Sequence, residues 1–358
     1  MSAKKRALQI ALFLVIMMMT FYALFSGRNL SEIARAVGEM SPLYLIPTVA
    51  LAVFFVCAEG YMIWYLLRAM QAHKNGGKGS SLFRCIQYSF IGFFYSGITP
   101  SASGGQPVQL YYMNKDGNRG SDSTVVLMTV AVAYKFVLVV VGFGILLLWF
   151  HPLIGEMGKY FPLYLLGLSL NVILVIVILG IMLFPKVILK AALLFEGLFI
   201  RMKIWKPSDQ REEKIQAFID SYGNAVTWLK AHKGKLSFII FVTFLQRCSV
   251  FVLTYMVYLG FGLEGTSAMK VILLQASVYI AVDMLPLPGA QGITELMYQA
   301  VFAHVFTGMY LIPSMLVSRG INFYFLLVVS LIVVIAVRIG DTNSLSKKTG
   351  RDGIGYGR

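Results

Sequence analysis

Residues 98–112, ITPSASGGQPVQLYY, interrupt an apolar run that is too short to cross a membrane as an ordinary helix. Pro100, Gly104, Gly105 and Pro107 disfavour a continuous helix, because proline lacks an amide donor and glycine loses the most backbone entropy on folding. Broken backbone at membrane depth persists only where protein or a water-filled cavity satisfies its polar groups. The stretch therefore predicts a re-entrant hairpin that lines a polar site. An ordinary loop between two spans is the alternative.

A second stretch, residues 286–298 (PLPGAQGITELMY), repeats this pattern in the second half of the chain. When Gly104 is aligned on Gly289, Gln106 falls on Gln291. Interrupted segments at corresponding positions of two halves are the best sequence-level pointer to the binding site of a transporter.

Charged residues flank both stretches at similar distances. Glu59 lies 45 residues before the first aligned glycine, and Arg247 lies 42 residues before the second. Lys135 follows the first by 31 residues, and Arg319 follows the second by 30. Each half therefore predicts a span with a charge, a broken hairpin, and another span with a charge.

Composition identifies the class of protein. Of 358 residues, 58% are hydrophobic and 13% are charged, and the mean hydropathy is +0.74. Several separate apolar runs longer than 18 residues indicate a polytopic helical membrane protein. The net charge of +15 comes mostly from juxtamembrane Lys and Arg, which topology and anionic lipid explain better than nucleic acid. The three cysteines and four histidines show no disulfide or metal spacing, so we expect no metal and no cofactor.

The distribution of Lys and Arg predicts the topology. Basic loops at residues 68–84 and 186–235 belong on the cytoplasmic side by the positive-inside rule, as do both termini. The first hairpin then opens to the cytoplasm and the second, at about 269–306, to the outside. We predict an all-α polytopic protein of the cell membrane with two re-entrant broken hairpins in inverted repeats. The six full spans are at residues 7–25, 43–67, 125–150, 163–184, 236–259 and 310–337.

The predicted domain organisation is one integral membrane domain, residues 1–340, followed by a disordered cytoplasmic tail at 341–358. Repeat one covers about 43–150 and repeat two about 236–338. The linker at 186–235 carries apolar residues at helical spacing, which predicts an amphipathic helix on the inner leaflet or, equally, one packed under the bundle. The stripe consists of Ile215, Phe218, Ile219, Tyr222, Val226 and Leu229.

Six ionisable residues fall at membrane depth. Each costs about 2.5–3.5 kcal/mol at a helix centre on insertion scales, so such residues are usually functional. They either pair with one another inside the bundle or surround a charged cavity at the midplane. Buried pairs seldom add net stability over apolar packing, which favours the cavity. The six are Glu59, Lys135, Arg247, Asp283, Glu295 and Arg319.

A phosphate group suits this inventory. A short helix is expected after each glycine break, and helix N-termini present free amides and partial positive charge. Basic side chains complete an anion site, and acidic ones receive an amine or offset surplus positive charge. The residues predict a phosphate-bearing lipid headgroup, with or without an amino group. The candidate substrate-binding residues are Glu59, Ser101, Ser103, Gly104, Gly105, Gln106, Lys135, Arg247, Asp283, Gly289, Gln291, Gly292, Glu295 and Arg319.

The motifs PSASGGQPVQLYYMNKDG and LPLPGAQGITE resemble the membrane-embedded flippase domain of lysylphosphatidylglycerol synthases, the multiple peptide resistance factor family. The resemblance covers about residues 4–338. It implies transport of an aminoacylated phosphatidylglycerol to the outer leaflet, and hence roles in lipid metabolism and antimicrobial peptide resistance. Ala290, where a second glycine is expected, is a small departure. The positions carried over are Pro100, Gly104, Gly105, Pro107, Gly289, Gly292 and Glu295.

In full-length synthases a soluble C-terminal domain makes the aminoacyl lipid. The sequence continues for about twenty residues after its last predicted span, so we expect no lysyltransferase activity of its own. The expected partners are anionic or aminoacylated membrane phospholipids, and a separate synthase protein or a second copy of the chain are further candidates. No nucleotide-binding motif is present.

Two other classes of function remain open at this point. An intramembrane enzyme of lipid or polyprenyl-phosphate metabolism could use Thr99, Ser101, Ser103 or Glu295, but no nucleophile-plus-base arrangement is evident. A membrane-anchored assembly partner would use the buried charges only as structural pairs.

Overall fold

A computed structural model describes residues 30–73, 80–184, 209–306 and 308–352. All regular secondary structure in these ranges is helical, which confirms the predicted all-α class. A π-helical turn, Gly320–Phe325, joins the last two helices. The helices are α1 (Leu30–Gly38), α2 (Pro42–His73), α3 (Leu82–Gly97), α4 (Gly105–Lys115), α5 (Gly120–Leu148), α6 (Phe150–Met157), α7 (Phe161–Leu183), α8 (Asp209–Ala231), α9 (Lys233–Gly260), α10 (Ala268–Val282), α11 (Ile293–Phe302), α12 (Leu311–Arg319) and α13 (Leu326–Asp352).

Five helical segments in the described residues are long and apolar enough to cross a membrane. They coincide with five of the six predicted spans, and the first predicted span, residues 7–25, lies outside the described residues. The chain is therefore a polytopic helical membrane protein. The five segments are Pro42–Ala72, Gly120–Leu148, Phe150–Leu183, Lys233–Gly260 and Gly308–Asp341.

Both predicted hairpins are broken by the same device. In the first, the 3₁₀ turn Pro100–Ala102 separates α3 from α4. In the second, the 3₁₀ turn Pro288–Ala290 separates α10 from α11. The second residue of each turn is left-handed, with φ of 49° at Ser101 and 59° at Gly289. A proline followed by a left-handed residue cannot continue an α-helix, so each helix stops here.

This geometry corrects the register of the repeat. The alignment of Gly104 on Gly289 is wrong by three residues, because the turn places Ser101 opposite Gly289. The glycine pattern misled the alignment, since a serine in the first turn adopts the conformation that a glycine adopts in the second. In the corrected register, Glu59 and Arg247 each lie 42 residues before the left-handed residue.

Both hairpins also begin in the same way. Ser81 caps α3 by accepting a hydrogen bond from the amide of Arg84, and Ser267 caps α10 by accepting one from the amide of Lys270. A serine N-cap satisfies a backbone donor that the first helical turn leaves free. Each hairpin therefore starts with a serine cap and a basic residue three positions later.

The two hairpins enter the bundle from opposite ends. At the base of the first, Arg84 forms a 2.6 Å ion pair with Asp116, four residues before α5 begins. At the base of the second, Lys270 forms a 2.6 Å ion pair with Glu156 on α6, just after α5 ends. The two 3₁₀ turns contact each other between these bases. The tips therefore meet inside the bundle, while two-fold symmetry and orientation in the membrane stay predictions.

The ion pair at the first base governs the protonation of Asp116. Burial raises the pKa of this carboxyl group, but hydrogen bonds from Arg84 and Tyr88 outweigh burial, so its pKa lies below the ordinary value. On the other side of the base, Lys115 forms a 2.6 Å ion pair with Asp341 on α13. The base of the first hairpin is therefore charged and tied to the last helix.

Helix α8 packs against the bundle, which is the second of the two alternatives for the linker. Tyr222 and Val226 are buried in one apolar cluster with Val125 of α5. Ser221 and Ser121 are joined by a 2.7 Å hydrogen bond between their hydroxyl groups. The apolar stripe of the linker therefore covers the end of the bundle from which the first hairpin enters.

Helix α13 continues to Asp352, so residues 341–352 are helical where the sequence predicts a disordered tail. No proline interrupts this region, and Asp341 is held by its ion pair with Lys115. Residues 353–358 of the predicted tail lie outside the described residues.

Helices α7 and α10 approach so closely at Gly167 that a Cβ atom there would lie 2.3 Å from the backbone oxygen of Ile280. Gly180, on the same helix, has no atom within 4 Å of a Cβ position. We expect Gly167→Ala to destabilise the fold by about 1–3 kcal/mol, because backbone must move to make room. Thermal unfolding in detergent measures this, with Gly180→Ala as the control. Equal melting temperatures for the two variants would contradict the close crossing.

Cysteine labelling tests the topology. In a variant lacking Cys57, Cys85 and Cys248, the exposed positions Arg119 and Gly155 each receive a cysteine. An impermeant maleimide should reach position 119 only from the cytoplasm and position 155 only from outside, because basic loops stay inside. Labelling of both positions from one side would contradict the predicted orientation.

Candidate substrate site

A cavity of about 460 Å³ lies where the two hairpin tips meet. Its wall is formed by both breaks, the π-helical turn and helices α2, α3, α4, α5, α7, α9, α10, α11 and α12. Five of the six charged residues predicted at membrane depth line it. Of the two predicted arrangements, charges around a cavity therefore describe the structure better than charges that all pair with one another. The five are Glu59, Lys135, Arg247, Asp283 and Arg319.

Lys135 and Asp283 form one ion pair at the edge of this cavity. Tyr134 also donates a hydrogen bond to the Asp283 carboxylate. Both charged side chains are about nine-tenths buried. The pair joins α5 to the residue that follows α10, so it fixes the second hairpin against a spanning helix and is formally neutral.

Arg319 and Glu295 form a second pair, with 3.0 Å between Nε and Oε1. Arg319 also donates from Nη2 to the backbone oxygen of Gly289 at 2.9 Å. The other Glu295 oxygen accepts from the amide of Gly292 at 2.7 Å. Glu295 therefore caps α11 and holds the break in place.

Glu295 is 3% exposed and is absent from the cavity wall. The sequence predicts that Glu295 faces the substrate cavity. In the structure it does not, because its carboxylate caps the N-terminus of its own helix. The same capping fills the anion site that the sequence predicts near Gln291. Gln291 is 1% exposed, and neither polar atom of its side chain has a partner.

Arg247 is the one lining cation that takes part in no salt bridge within the described residues. Its guanidinium lies 4.4 Å from the ring centroid of Phe55 and 4.0 Å from that of Tyr134. Nη1 donates to the Tyr279 hydroxyl at 3.2 Å, and the buried Nε has no partner. The two rings hold the cation by its faces, which leaves donors at its edge for a ligand.

Glu59 is the matching anion. Its Oε1 accepts a 2.7 Å hydrogen bond from Nε2 of Gln109, and none of the described basic groups lies within salt-bridge distance. Gln109 is 2% exposed and packs over Gly92, where a Cβ atom would lie 2.2 Å from its Nε2. The glycine thus makes room for the amide that holds the carboxylate. Among the described residues, the cavity wall holds one cation and one anion outside ion pairs.

The first hairpin presents a more open helix end than the second. Ser101, Ser103 and Gln106 line the cavity, and α4 begins at Gly105 with no side-chain cap. The amide of Gly104 donates to Oγ1 of Thr99 at 2.9 Å. An uncapped helix N-terminus favours an anion. The predicted anion-binding helix end is therefore available in the first hairpin and self-capped in the second.

The predicted glycines play different parts. Gly289 lines the cavity, whereas Gly104, Gly105 and Gly292 lie outside its wall. At Gly105 a Cβ atom would lie 2.1 Å from Oγ of Ser96, so this glycine lets the two limbs of the first hairpin pack closely.

Sequence reasoning missed three residues of the site, Gln109, Tyr134 and Tyr279. Gln109 lies three positions after Gln106 on the same short helix, and Tyr279 lies one turn before Asp283. These spacings place each residue on the face of its better-recognised neighbour. Helical spacing could have identified two of the three, whereas the stacking of Tyr134 on Arg247 depends on tertiary packing.

Glu295→Gln tests the pair that supports the second hairpin. Loss of one partner leaves the Arg319 charge uncompensated, which typically costs about 3–5 kcal/mol. We expect a lower melting temperature in detergent, and a double variant with Arg319→Gln that loses less than the two single effects combined. Glu264→Gln, at an exposed position, is the control. A melting temperature unchanged by Glu295→Gln would contradict the structural role.

Comparison with known proteins agrees with this architecture. Residues 7–330 match the family model described as the lysylphosphatidylglycerol synthase TM region. The chain is also 28% identical over 264 residues to a UPF0104 membrane protein of Pyrococcus horikoshii, covering 72% of this chain and 77% of that protein. The family match extends over both broken hairpins and the residues that line the cavity. The chain therefore belongs to the family of the lysylphosphatidylglycerol synthase transmembrane region.

Proposed function

We propose that the chain is a membrane lipid transporter, a flippase that moves a phosphate-bearing lipid between leaflets by passing its headgroup through the cavity. The observation that carries this proposal is the mixed character of the wall. It holds the five charged residues and the hairpin tips. It also holds apolar residues of α5 and α7, namely Leu127, Val130, Ala131, Leu174 and Ile178.

A lipid matches such a wall better than a small ion or a soluble sugar. An ion needs fewer polar groups, and a sugar would leave the apolar residues of the wall unused. The charged residues can replace water around a headgroup, while the apolar residues suit the start of the acyl chains. Burial of apolar surface contributes about 25 cal/mol per Å².

Arg247 is the residue that we assign to the phosphate. Its guanidinium edge can donate two parallel hydrogen bonds to phosphate oxygens, a geometry that lysine cannot provide. Ser101, Ser103 and Gln106 supply further polar groups at the uncapped start of α4. The remaining lining cations, Lys135 and Arg319, are already neutralised by carboxylates.

The finer identity of the lipid rests on Glu59. A headgroup that bears an ammonium group, as in an aminoacylated phosphatidylglycerol, can pair with this carboxylate while Arg247 holds the phosphate. The family description, which refers to lysylphosphatidylglycerol synthase, supports a lipid of this kind. Anionic phosphatidylglycerol itself uses only the phosphate subsite.

The hairpins provide a route for alternating access. They enter from opposite ends and meet at the cavity, so a shift of either tip opens the cavity toward one end.

We propose the cell membrane as the location, with cytoplasmic termini and membrane phospholipids as partners. A separate synthase protein and a second copy of the chain are further proposed partners.

Arg247→Gln in reconstituted vesicles tests the proposal. A charge-assisted hydrogen bond contributes about 1.5–3 kcal/mol, so transport of a fluorescent phosphatidylglycerol should fall by about 10- to 100-fold. The melting temperature should fall less than in Glu295→Gln, because Arg247 holds no ion pair within the described residues. Dithionite quenching of the outer leaflet measures the transport.

Arg119→Gln is the matched control, because Arg119 is exposed and lies outside the cavity. It should leave transport unchanged. Normal transport by Arg247→Gln would overturn the assignment of the phosphate to this residue.

A further inference from the structure

We propose that Glu59 is a proton-binding site linked to the substrate, so that an anionic phosphate headgroup binding to Arg247 is accompanied by uptake of one proton on the Glu59 carboxylate. This inference rests on the proposed function and adds the coupling ion to it. The site lies in the same cavity but uses a residue that the anion itself does not need.

The geometry isolates Glu59 from other basic groups. Its hydrogen bond comes from the neutral amide of Gln109 at 2.7 Å. Arg247, which lines the same cavity, acts on it electrostatically without forming a salt bridge. The carboxylate is half-buried and lines the cavity, so a proton can reach it when the cavity is wet.

The other titratable groups around α2 are already engaged or lie elsewhere. On α5, Lys135 pairs with Asp283, and Tyr134 donates to the same carboxylate. The remaining titratable groups on elements that contact α2 lie outside the cavity wall. They are Arg84, Cys85, Tyr88 and Tyr95 of α3, Asp122 of α5, Lys233, Lys235, Cys248, Tyr255 and Tyr258 of α9, and Tyr324 of the π-helical turn. Arg319, at the end of α12, pairs with Glu295. The negative charge of Glu59 is therefore compensated by the Gln109 amide and by Arg247, the one charged group that acts on it among the described residues.

The sign of the coupling follows from this dependence. In the empty cavity, the positive charge of Arg247 stabilises ionised Glu59. A bound phosphate neutralises Arg247 and adds its own negative charge, so the protonated carboxyl is then favoured. Because linkage is reciprocal, a lower pH must strengthen binding of the anion by the same coupling free energy.

This linkage gives the transporter an energy source. A carrier that moves an anionic headgroup together with one proton can use the proton gradient across the membrane. A headgroup that carries its own ammonium group occupies the place of the proton beside Glu59, so it binds with no proton uptake. The same cavity therefore distinguishes the two kinds of headgroup, because the negative charge of Glu59 is neutralised by a proton in one case and by the ammonium group in the other.

Isothermal titration of the full chain in detergent with dioctanoyl-phosphatidylglycerol measures the linkage. Titrations in two buffers that differ in ionisation enthalpy count the protons taken up. We expect about one proton per lipid, and a dissociation constant that falls by up to about tenfold for each unit of pH lowered within the linked range. Glu264→Gln, at an exposed carboxylate outside the cavity, should behave like the unchanged chain.

Glu59→Gln should bind this lipid without proton uptake, with an affinity at high pH that matches the unchanged chain at low pH. Infrared difference spectroscopy of the unchanged chain gives an independent readout, since lipid binding should produce a protonated-carboxyl band. Binding without proton uptake or without that band overturns the linkage and leaves the transporter standing. Proton uptake that persists in Glu59→Gln also overturns it. No binding of the lipid at any pH overturns both.

Discussion

The structure depends on the cost of keeping charge at membrane depth. An unpaired charge at the centre of a span costs several kcal/mol, so each buried ionic group needs compensation. Two pairs supply it and also tie the second hairpin in place: Lys135 with Asp283, and Arg319 with Glu295. Arg247 and Glu59 lack such partners within the described residues, and they lie on the wall of one cavity. The pairs position the broken hairpins, and the two remaining charges give the cavity its chemistry.

The two breaks show how similar backbone geometry comes from different residues. Proline starts each turn, and the next residue is serine in the first hairpin and glycine in the second. Alanine follows in both turns with positive φ, 54° at Ala102 and 50° at Ala290. A left-handed alanine is unfavourable, so the surrounding packing must enforce it. Such strain at the meeting point of two hairpin tips is typical of functional sites.

The sequence alone predicts the helical membrane class, five of the described spans, both interrupted hairpins and the charged lining of the cavity. These features follow from hydropathy and from the cost of buried charge, which are local properties. The pairing of the charges could not be predicted, because it depends on which helix faces which. Glu295 illustrates the limit: its position suggests a ligand group, yet its carboxylate caps Gly292 and pairs with Arg319. The predicted register of the repeat is wrong for a related reason. The left-handed conformation of Ser101 depends on its surroundings and cannot be recognised from the residue type, as it can at a glycine.

The structure of the chain in nanodiscs that contain phosphatidylglycerol is the direct test of the cavity at the hairpin tips as a lipid site. We expect phosphate density within hydrogen-bonding distance of the Arg247 guanidinium, beside the start of α4, with the acyl chains leaving past α5 and α7. Lipid phosphate bound only at the outer surface of the bundle, with water alone in the cavity, would contradict it.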